Sequence, residues 1–222
     1  MAKYDAVIFD FDGTVAYTAA DVWDSLRWAA RRLGGELDGE FSKNDANLGL
    51  PMERIFAAAQ PCGGDVRAFD ELVRQHYRTL SEYPKTALYE GMRPLLERLG
   101  REGIGRYVIS QKPLEPLTRI LRRKGWSGLF EGWFSPDSFG ETAATKAQTI
   151  GWLLGHALRG KSAVYAGDTW SDVEAAHASG IPCIAALYGD GDTARLLAAG
   201  PDLCARTAAE IGDCLFEKEN IC

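Results

Sequence analysis

Five short apolar segments, rich in β-branched and aromatic residues, constrain the fold of this 222-residue chain more than any other feature. Each ends in an acidic, small or polar residue, and helical patterns lie between them. Such nearly continuous hydrophobicity is typical of strands covered on both faces, so the sequence predicts a doubly wound α/β fold around a parallel sheet. The predicted strands are DAVIFD (5–10), GRYVIS (105–110), GWFS (132–135), SAVYAG (162–167) and PCIAALY (182–188), and the predicted helices are 93–102, 114–124, 145–158, 171–179 and 192–199.

The interval between residues 18 and 84 breaks this alternation, because its patterns are helical and none reads convincingly as a strand. Val22, Leu26 and Ala29, for example, recur at helical spacing. We interpret the interval as an all-helical cap domain inserted after the first strand of the sheet. The predicted domains are therefore a catalytic core of residues 1–17 and 85–222 and a cap of residues 18–84.

Composition limits the classes of function. The formal net charge of −6 argues against nonspecific nucleic-acid binding, which depends on clustered lysine and arginine. No stretch approaches the roughly 20 consecutive apolar residues that span a bilayer, and the N-terminus lacks the apolar segment of a signal peptide. We therefore expect a cytoplasmic protein whose partners include neither nucleic acid nor membrane.

Acidic and hydroxyl side chains follow three of the predicted strands. Asp10, Ser110 and Asp168 each lie at a strand end, and Asp12 and Asp172 lie two and four residues beyond the two acids. In an open α/β sheet, ligands bind outside the carboxyl ends of the strands. The fold should therefore bring these residues together along one edge of the sheet.

The charge of this group points to a metal ion. Four ionised acids carry about −4, and Lys146, at the start of the helix before the fourth strand, returns only about +1. Such a cluster would repel both itself and a phosphate group. Mg²⁺ prefers hard oxygen ligands and is commonly shared with phosphate, so we expect it as the cofactor. The predicted metal-binding residues are Asp10, Asp12, Asp168 and Asp172.

The same residues suggest phosphoryl transfer. A carboxylate can attack phosphorus to give an aspartyl-phosphate, which divides one difficult step into two, and Asp10 is our candidate nucleophile. Asp12 is close enough to give a proton in the first step and take one in the second. Ser110 and Lys146 are expected to stabilise the charge on the transferring group. The residues expected to contact the substrate are Gly13, Thr14, Gln111 and Lys112.

Four ordered motifs resemble those of the haloacid dehalogenase-like (HAD) hydrolase superfamily. They are DFDGT, the serine in VISQKP, Lys146 in TKAQTI, and GDTWSD, and the agreement spans residues 7–187. The resemblance implies Asp10 as nucleophile and Asp12 as acid/base. It also implies Mg²⁺ held by Asp10, the backbone carbonyl of Asp12 and Asp168, with Asp172 in support. The helical insert resembles the C1-type cap of the superfamily. Within the superfamily the chain looks most like the phosphoglycolate phosphatase branch.

These observations favour a Mg²⁺-dependent phosphatase acting on a small soluble phosphorylated metabolite, with phosphoglycolate as the first candidate substrate. A phosphomutase acting on a sugar phosphate, a pyrophosphatase and a nucleotidase stay open as alternatives. A non-catalytic interaction module of the same fold is a further alternative, although all the expected catalytic side chains are present. Trp170, between two of the motif acids, is unusual, and three interpretations are open: it stacks on a substrate, meets the cap, or only packs.

Overall fold

Most of the predicted site residues of this chain lie at or just after the ends of strands in a parallel sheet. The computed structural model describes residues 3–140 and 143–216, and the chain divides into two compact units, Met1–Tyr17 with Leu88–Cys222, and Thr18–Ala87. The strands are β1 (Ala6–Phe9), β2 (Ala16–Tyr17), β3 (Ala87–Leu88), β4 (Gly105–Ile109), β5 (Gly132–Phe134), β6 (Ala163–Gly167), β7 (Cys183–Ala186) and β8 (Leu203–Ala205). The helices are α1 (Ala19–Arg32), α2 (Met52–Ala58), α3 (Val66–Gln75), α4 (Met92–Arg101), α5 (Leu114–Arg123), α6 (Lys146–Gly155), α7 (Trp170–Ala178), α8 (Thr193–Ala198) and α9 (Ala208–Leu215). Short 3₁₀ helices lie at Phe41–Lys43, Asp45–Gly49 and Ser127–Leu129, and a π-helical turn lies at His76–Leu80.

The first unit is built on six parallel strands in the order β5-β4-β1-β6-β7-β8. Side chains alternate between the two faces of a strand, yet all four residues of β1 are buried, so both faces of the sheet are covered. On one face Ile8 packs in a cluster with Ile150 of α6 and Val173 of α7. Helices α4 and α9 also pack against strands and against each other. The prediction of a doubly wound parallel sheet is confirmed.

The observed elements include every predicted strand and helix, with small differences at the ends. The last predicted strand extends to residue 188, but β7 ends at Ala186 because the chain turns there, with the Gly189 N–H bonded to the Ala186 carbonyl. Two elements that the sequence did not indicate, β8 and α9, complete this side of the sheet. β8 has only three residues, two of them partly exposed, so it lacks the apolar run that marked the other strands.

The register of the central strands sets the height of the strand ends. Phe9, the last residue of β1, is paired with Val108 of β4 and with Ala166 of β6. One residue remains in each neighbouring strand after those pairs, and the chain then leaves the sheet. Asp10 therefore lies at the level where Ser110 and Asp168 leave the adjacent strands.

The second unit, Thr18–Ala87, has its own apolar core. Most of its buried side chains come from three helices, among them Leu26 of α1, Ile55 of α2 and Phe69 of α3. Asp65 caps α3 by accepting a hydrogen bond from the Ala68 N–H. Across the described residues of both units, no helix has the length and apolar character needed to cross a membrane.

A buried carboxylate joins the two ends of this second unit. Asp21, in the first turn of α1, accepts hydrogen bonds from the Thr86 N–H at 2.6 Å and the Thr86 hydroxyl at 2.7 Å. The Lys85 N–H donates to the same carboxylate at 3.1 Å. Asp21 thereby joins the first helix of this unit to the last residues of the unit. Because Asp21 is buried, losing these bonds is costly.

We predict that Asp21→Ala lowers the free energy of unfolding by about 2–3 kcal/mol, because two backbone N–H groups and a hydroxyl lose a charged acceptor. The amides of Lys85 and Thr86 should also exchange their hydrogens faster. Chemical denaturation and hydrogen exchange measure the two effects. Asp24→Ala is the control: its partly exposed ion pair with Lys85 should contribute less than about 1 kcal/mol. Equal losses in the two variants would contradict the role given to Asp21.

Candidate active site

Three carboxylates meet at the carboxyl edge of the sheet. Asp10 follows β1, Asp168 follows β6, and Asp172 lies in the first turn of α7. Each offers one oxygen atom, and these atoms lie within 4.8 Å of one another. All three residues are buried, which is rare for acidic side chains unless they are paired or bound to a ligand. The fold thus brings together three of the four acids that we expected to bind a metal.

Lys146 is the cation of this cluster. It is the first residue of α6, where Thr145 and Gln148 form a capping box. Its Nζ donates to Asp10 Oδ2 at 3.0 Å and also to Asp172 Oδ1. Burial disfavours the positive charge of Lys146, but the two carboxylates outweigh burial and the pKa of Lys146 is raised. The side chain is therefore a fixed positive charge beside Asp10.

A second capping box holds Asp172. The backbone N–H and the hydroxyl of Thr169, the N-cap residue of α7, donate to Asp172 Oδ2 at 2.9 and 2.6 Å. Its other oxygen accepts from Lys146. A Cβ on Gly167 would lie 2.4 Å from the carboxyl carbon of Asp172, so the last residue of β6 has to be glycine to make room. Asp172 therefore fixes the position of Lys146.

The pKa values of the acids reflect their crowding. Burial raises the pKa of Asp10 to about 6; Lys146 acts in the opposite direction, and Asp172 and Asp12 raise it. Burial also raises the pKa of Asp168 to about 8, and the charges of Asp10 and Asp172 add to this effect. Like charges in a buried place make each other's ionised form less stable. An additional positive charge here would therefore be strongly stabilising.

Backbone groups enclose Asp168. Its Oδ1 accepts from the Thr14 hydroxyl at 3.1 Å, and its Oδ2 accepts from the N–H groups of Asp190 and Gly191 at 3.1 and 3.0 Å. Gly13 has a φ of 75°, and a Cβ there would lie 2.1 Å from Asp168 Oδ2. Gly13 and Thr14, which we expected to contact the substrate, thus contact Asp168. Sequence reasoning missed the loop after β7, where the closely spaced glycines were the only signal.

Asp12 and the residues after β4 have different surroundings. The Asp12 side chain is partly exposed, and its Oδ1 lies 3.0 Å from Lys112 Nζ. Ser110 is buried, and its Oγ accepts from the Lys112 N–H at 3.2 Å, which leaves the hydroxyl proton available for donation. Gln111 is exposed. The Asp12 carboxylate is outside the three-carboxylate cluster, so its backbone carbonyl is the group that stays a candidate metal ligand.

Trp170 is the first residue of α7 and is half-buried. The guanidinium carbon of Arg195, on α8, lies 4.8 Å from the centre of its ring. This distance fits a cation–π contact. Of the three interpretations of Trp170, packing within the first unit is the one that this contact supports.

The cluster suits a hard divalent cation. Its donors are carboxylate oxygens, which Mg²⁺ prefers. Among the residues that the structure describes, the cluster includes no cysteine sulfur or histidine imidazole, the donors typical of zinc sites. A divalent cation would also offset the like charges that raise the pKa values of Asp10 and Asp168. The carboxylate oxygens of this cluster therefore fit Mg²⁺, with those of Asp10 and Asp168 as its candidate ligands and Asp172 beside them.

Comparison with known proteins shows which family this chain belongs to. The chain matches the haloacid dehalogenase-like hydrolases over residues 7–186 and belongs to that family. It is 29% identical to a 5'-nucleotidase of Pseudomonas aeruginosa, with 93% of this chain and 94% of the relative covered. It is 22% identical to a phosphoglycolate phosphatase of Vibrio parahaemolyticus, with 92% and 93% covered. A crystal structure from Clostridium difficile matches 97% of this chain and 100% of its own, with a TM-score of 0.84 at 23% identity, which shows the fold. The prediction of a HAD-like enzyme is confirmed.

We predict that Lys146→Met raises the pKa of Asp10 above its value of about 6, because the positive charge that favours the ionised carboxylate is removed. The variant should also lose about 3–5 kcal/mol of stability, since two buried carboxylates lose their partner. Titration of ¹³C-labelled aspartate by NMR and chemical denaturation measure the two effects. The exposed Lys161→Met is the control and should change neither. An unchanged pKa of Asp10 would show that Lys146 is not its main partner.

Proposed function

We propose that this protein is a Mg²⁺-dependent phosphatase that hydrolyses a small phosphomonoester through an aspartyl-phosphate on Asp10. The observation that carries the proposal is the buried contact of Lys146 with both Asp10 and Asp172, next to the third carboxylate, Asp168. Such a site combines oxygen ligands for a metal with a fixed cation for phosphoryl oxygens, which is the combination that phosphoryl transfer requires. Membership of the hydrolase family supports the same class of reaction.

The metal would be held by residues from two strand ends. Asp10, Asp168 and the backbone carbonyl of Asp12 are the proposed ligands, and Asp172 supports them through Lys146. When bound, Mg²⁺ supplies the positive charge that lets an anionic carboxylate approach an anionic phosphate. The protein's part is to keep these oxygens close together and largely out of water.

Asp10 is oriented by contacts on both of its oxygens. Oδ1 accepts from the Phe11 N–H at 2.7 Å, and Oδ2 accepts from Lys146 Nζ at 3.0 Å. Two fixed donors restrict the rotation of the carboxylate, which keeps it in place for attack. In the proposed reaction an Asp10 oxygen bonds to phosphorus as the ester P–O bond breaks. Water then attacks phosphorus, which releases inorganic phosphate and restores the Asp10 carboxylate.

Asp12 would move the protons of both steps. Protonated Asp12 gives its proton to the leaving oxygen as the ester breaks, and its carboxylate then takes a proton from the attacking water. Its partial exposure suits this exchange better than the burial of Asp10. The Ser110 hydroxyl and Lys146 would stabilise the phosphoryl oxygens. Gln111 and Lys112 remain our candidates for contact with the rest of the substrate.

The substrate proposal draws on the names of similar proteins. Phosphoglycolate is the first candidate, because several of them are named phosphoglycolate phosphatase. A nucleoside 5'-monophosphate is the second, because the relative from Pseudomonas aeruginosa is named a 5'-nucleotidase. We also propose that Thr18–Ala87 is the cap that selects the substrate, and that the substrate is a small phosphorylated metabolite of the cytoplasm.

We predict that the purified protein releases phosphate from p-nitrophenyl phosphate only with Mg²⁺, that EDTA stops the release, and that added Mg²⁺ restores it. A panel of phosphoglycolate, nucleoside 5'-monophosphates, sugar phosphates and pyrophosphate, compared by kcat/KM, then identifies the substrate class. Asp10→Asn should lower kcat by about 10⁴-fold or more, because the attacking carboxylate is lost.

The control for this experiment is Asp70→Asn, which removes a partly exposed acid paired with Arg74 in the second unit. It should keep the wild-type kcat, and circular dichroism should show that both variants are folded. Phosphate release without any divalent cation, or near-normal turnover by Asp10→Asn, would contradict the proposed function.

We predict that Asp12→Asn accumulates phosphorylated protein during turnover of p-nitrophenyl phosphate. Nitrophenolate is a good leaving group that needs little protonation, so formation of the aspartyl-phosphate is slowed less than its hydrolysis, which needs a base. The intact mass after acid quenching measures the phosphorylated fraction. Asp10→Asn should show none under the same conditions. Equal slowing of both steps, with no phosphorylated Asp12→Asn, would contradict the second role of Asp12.

A further inference from the structure

We propose that the loop Gly189–Asp190–Gly191 is a positioning element that fixes the Asp168 carboxylate for metal binding. The inference rests on the proposed function, because it gives the loop a role toward the same Mg²⁺. It concerns residues that lie outside the four sequence motifs and that do not themselves offer a ligand to the cluster. The loop follows β7 and is one strand removed from Asp168, at the end of β6.

The two glycines of the loop are needed for space. Neither Gly189 nor Gly191 has a φ in the left-handed region, so backbone conformation does not explain them. A Cβ on Gly189 would lie 2.3 Å from the Asp168 Cβ and 2.3 Å from the Gly13 carbonyl oxygen. A Cβ on Gly191 would lie 2.0 Å from the Asp168 carbonyl oxygen. Glycine is therefore present because the loop backbone lies directly against Asp168.

This close approach produces the hydrogen bonds that orient the carboxylate. Oδ2 of Asp168 accepts from two consecutive backbone N–H groups, those of Asp190 and Gly191. Among the described residues, Oδ1 accepts one hydrogen bond, from the Thr14 hydroxyl. A carboxylate oxygen has two lone pairs, so Oδ1 keeps one for a cation while Oδ2 anchors the group. Partners that orient a ligand in this way commonly change metal affinity when they are removed.

Two tyrosines support the loop from within the first unit. The Tyr188 hydroxyl donates to the Thr14 carbonyl at 2.8 Å, which joins the start of the loop to the residue that bonds Oδ1. The Tyr89 hydroxyl donates to Asp190 Oδ1 at 3.2 Å. The two rings meet edge to face with centroids 5.0 Å apart. The loop is thus held at Asp190 and at Tyr188, the residue that precedes it.

The test is Mg²⁺ affinity measured by isothermal titration calorimetry on the protein without substrate. Gly189→Ala should weaken binding by about 10- to 100-fold, the range typical of residues that orient a metal ligand. Gly151→Ala is the matched control, because a Cβ at this exposed helical position meets no atom within 4 Å outside the backbone of its own helix, and it should bind like wild type. Circular dichroism and the melting temperature without Mg²⁺ show whether each variant is folded.

Thr14 provides a second pair of variants in case Gly189→Ala does not fold. Thr14→Val keeps the shape but loses the hydroxyl and should weaken Mg²⁺ binding, whereas Thr14→Ser keeps the hydroxyl and should restore it. Folded Gly189→Ala or Thr14→Val with wild-type Mg²⁺ affinity would overturn the positioning role. Wild-type protein that binds no Mg²⁺ and shows no Mg²⁺-dependent phosphate release would instead overturn the proposed function, so the two failures are distinguishable.

Discussion

The contact of one lysine with two buried aspartates is the interaction on which the functional part of this molecule depends. Lys146 lies 136 residues from Asp10 and 26 residues from Asp172 along the chain, yet it bonds both. Such a contact forms only when β1, β6 and the helices beside them are in place. The parallel sheet is therefore a condition for this local chemistry, because it brings distant strand ends to one edge.

Building this site works against stability. Burying acids of like charge costs free energy, and the raised pKa values of Asp10 and Asp168 show that the cost is only partly offset by Lys146. A chain selected only to fold would place apolar residues at these strand ends. Local violations of the packing rules are expected where a site must act on a ligand. The acid cluster is such a violation, in a sheet whose remaining central positions are apolar.

Sequence patterns predicted most of the fold, because continuous apolar strands and amphipathic helices leave clear periodic signals. They also placed Asp10, Ser110 and Asp168 at one edge of the sheet. They did not indicate β8, which is too short to leave a pattern, or the contact of Thr14 with Asp168. The support of Asp168 by Asp190 and Gly191 comes from backbone N–H groups, which every residue except proline carries, so the only sign of it in the sequence is the closely spaced glycines.

The contrast between the fixed groups at the carboxyl edge of the sheet and the more variable residues around them explains how one kind of site can serve different substrates. Apart from the partly exposed Asp12, the proposed reacting groups are buried and are fixed by capping boxes and backbone donors, so they tolerate little variation. The 5'-nucleotidase and the phosphoglycolate phosphatase named above each align with more than nine-tenths of this chain at less than a third identity. The two relatives have different named activities although they align over nearly the same length of this chain. This is expected if the carboxyl edge of the sheet supplies the reaction and residues elsewhere select the substrate. Selectivity in this chain should therefore be sought among residues with freedom to vary, such as exposed Gln111, and in Thr18–Ala87.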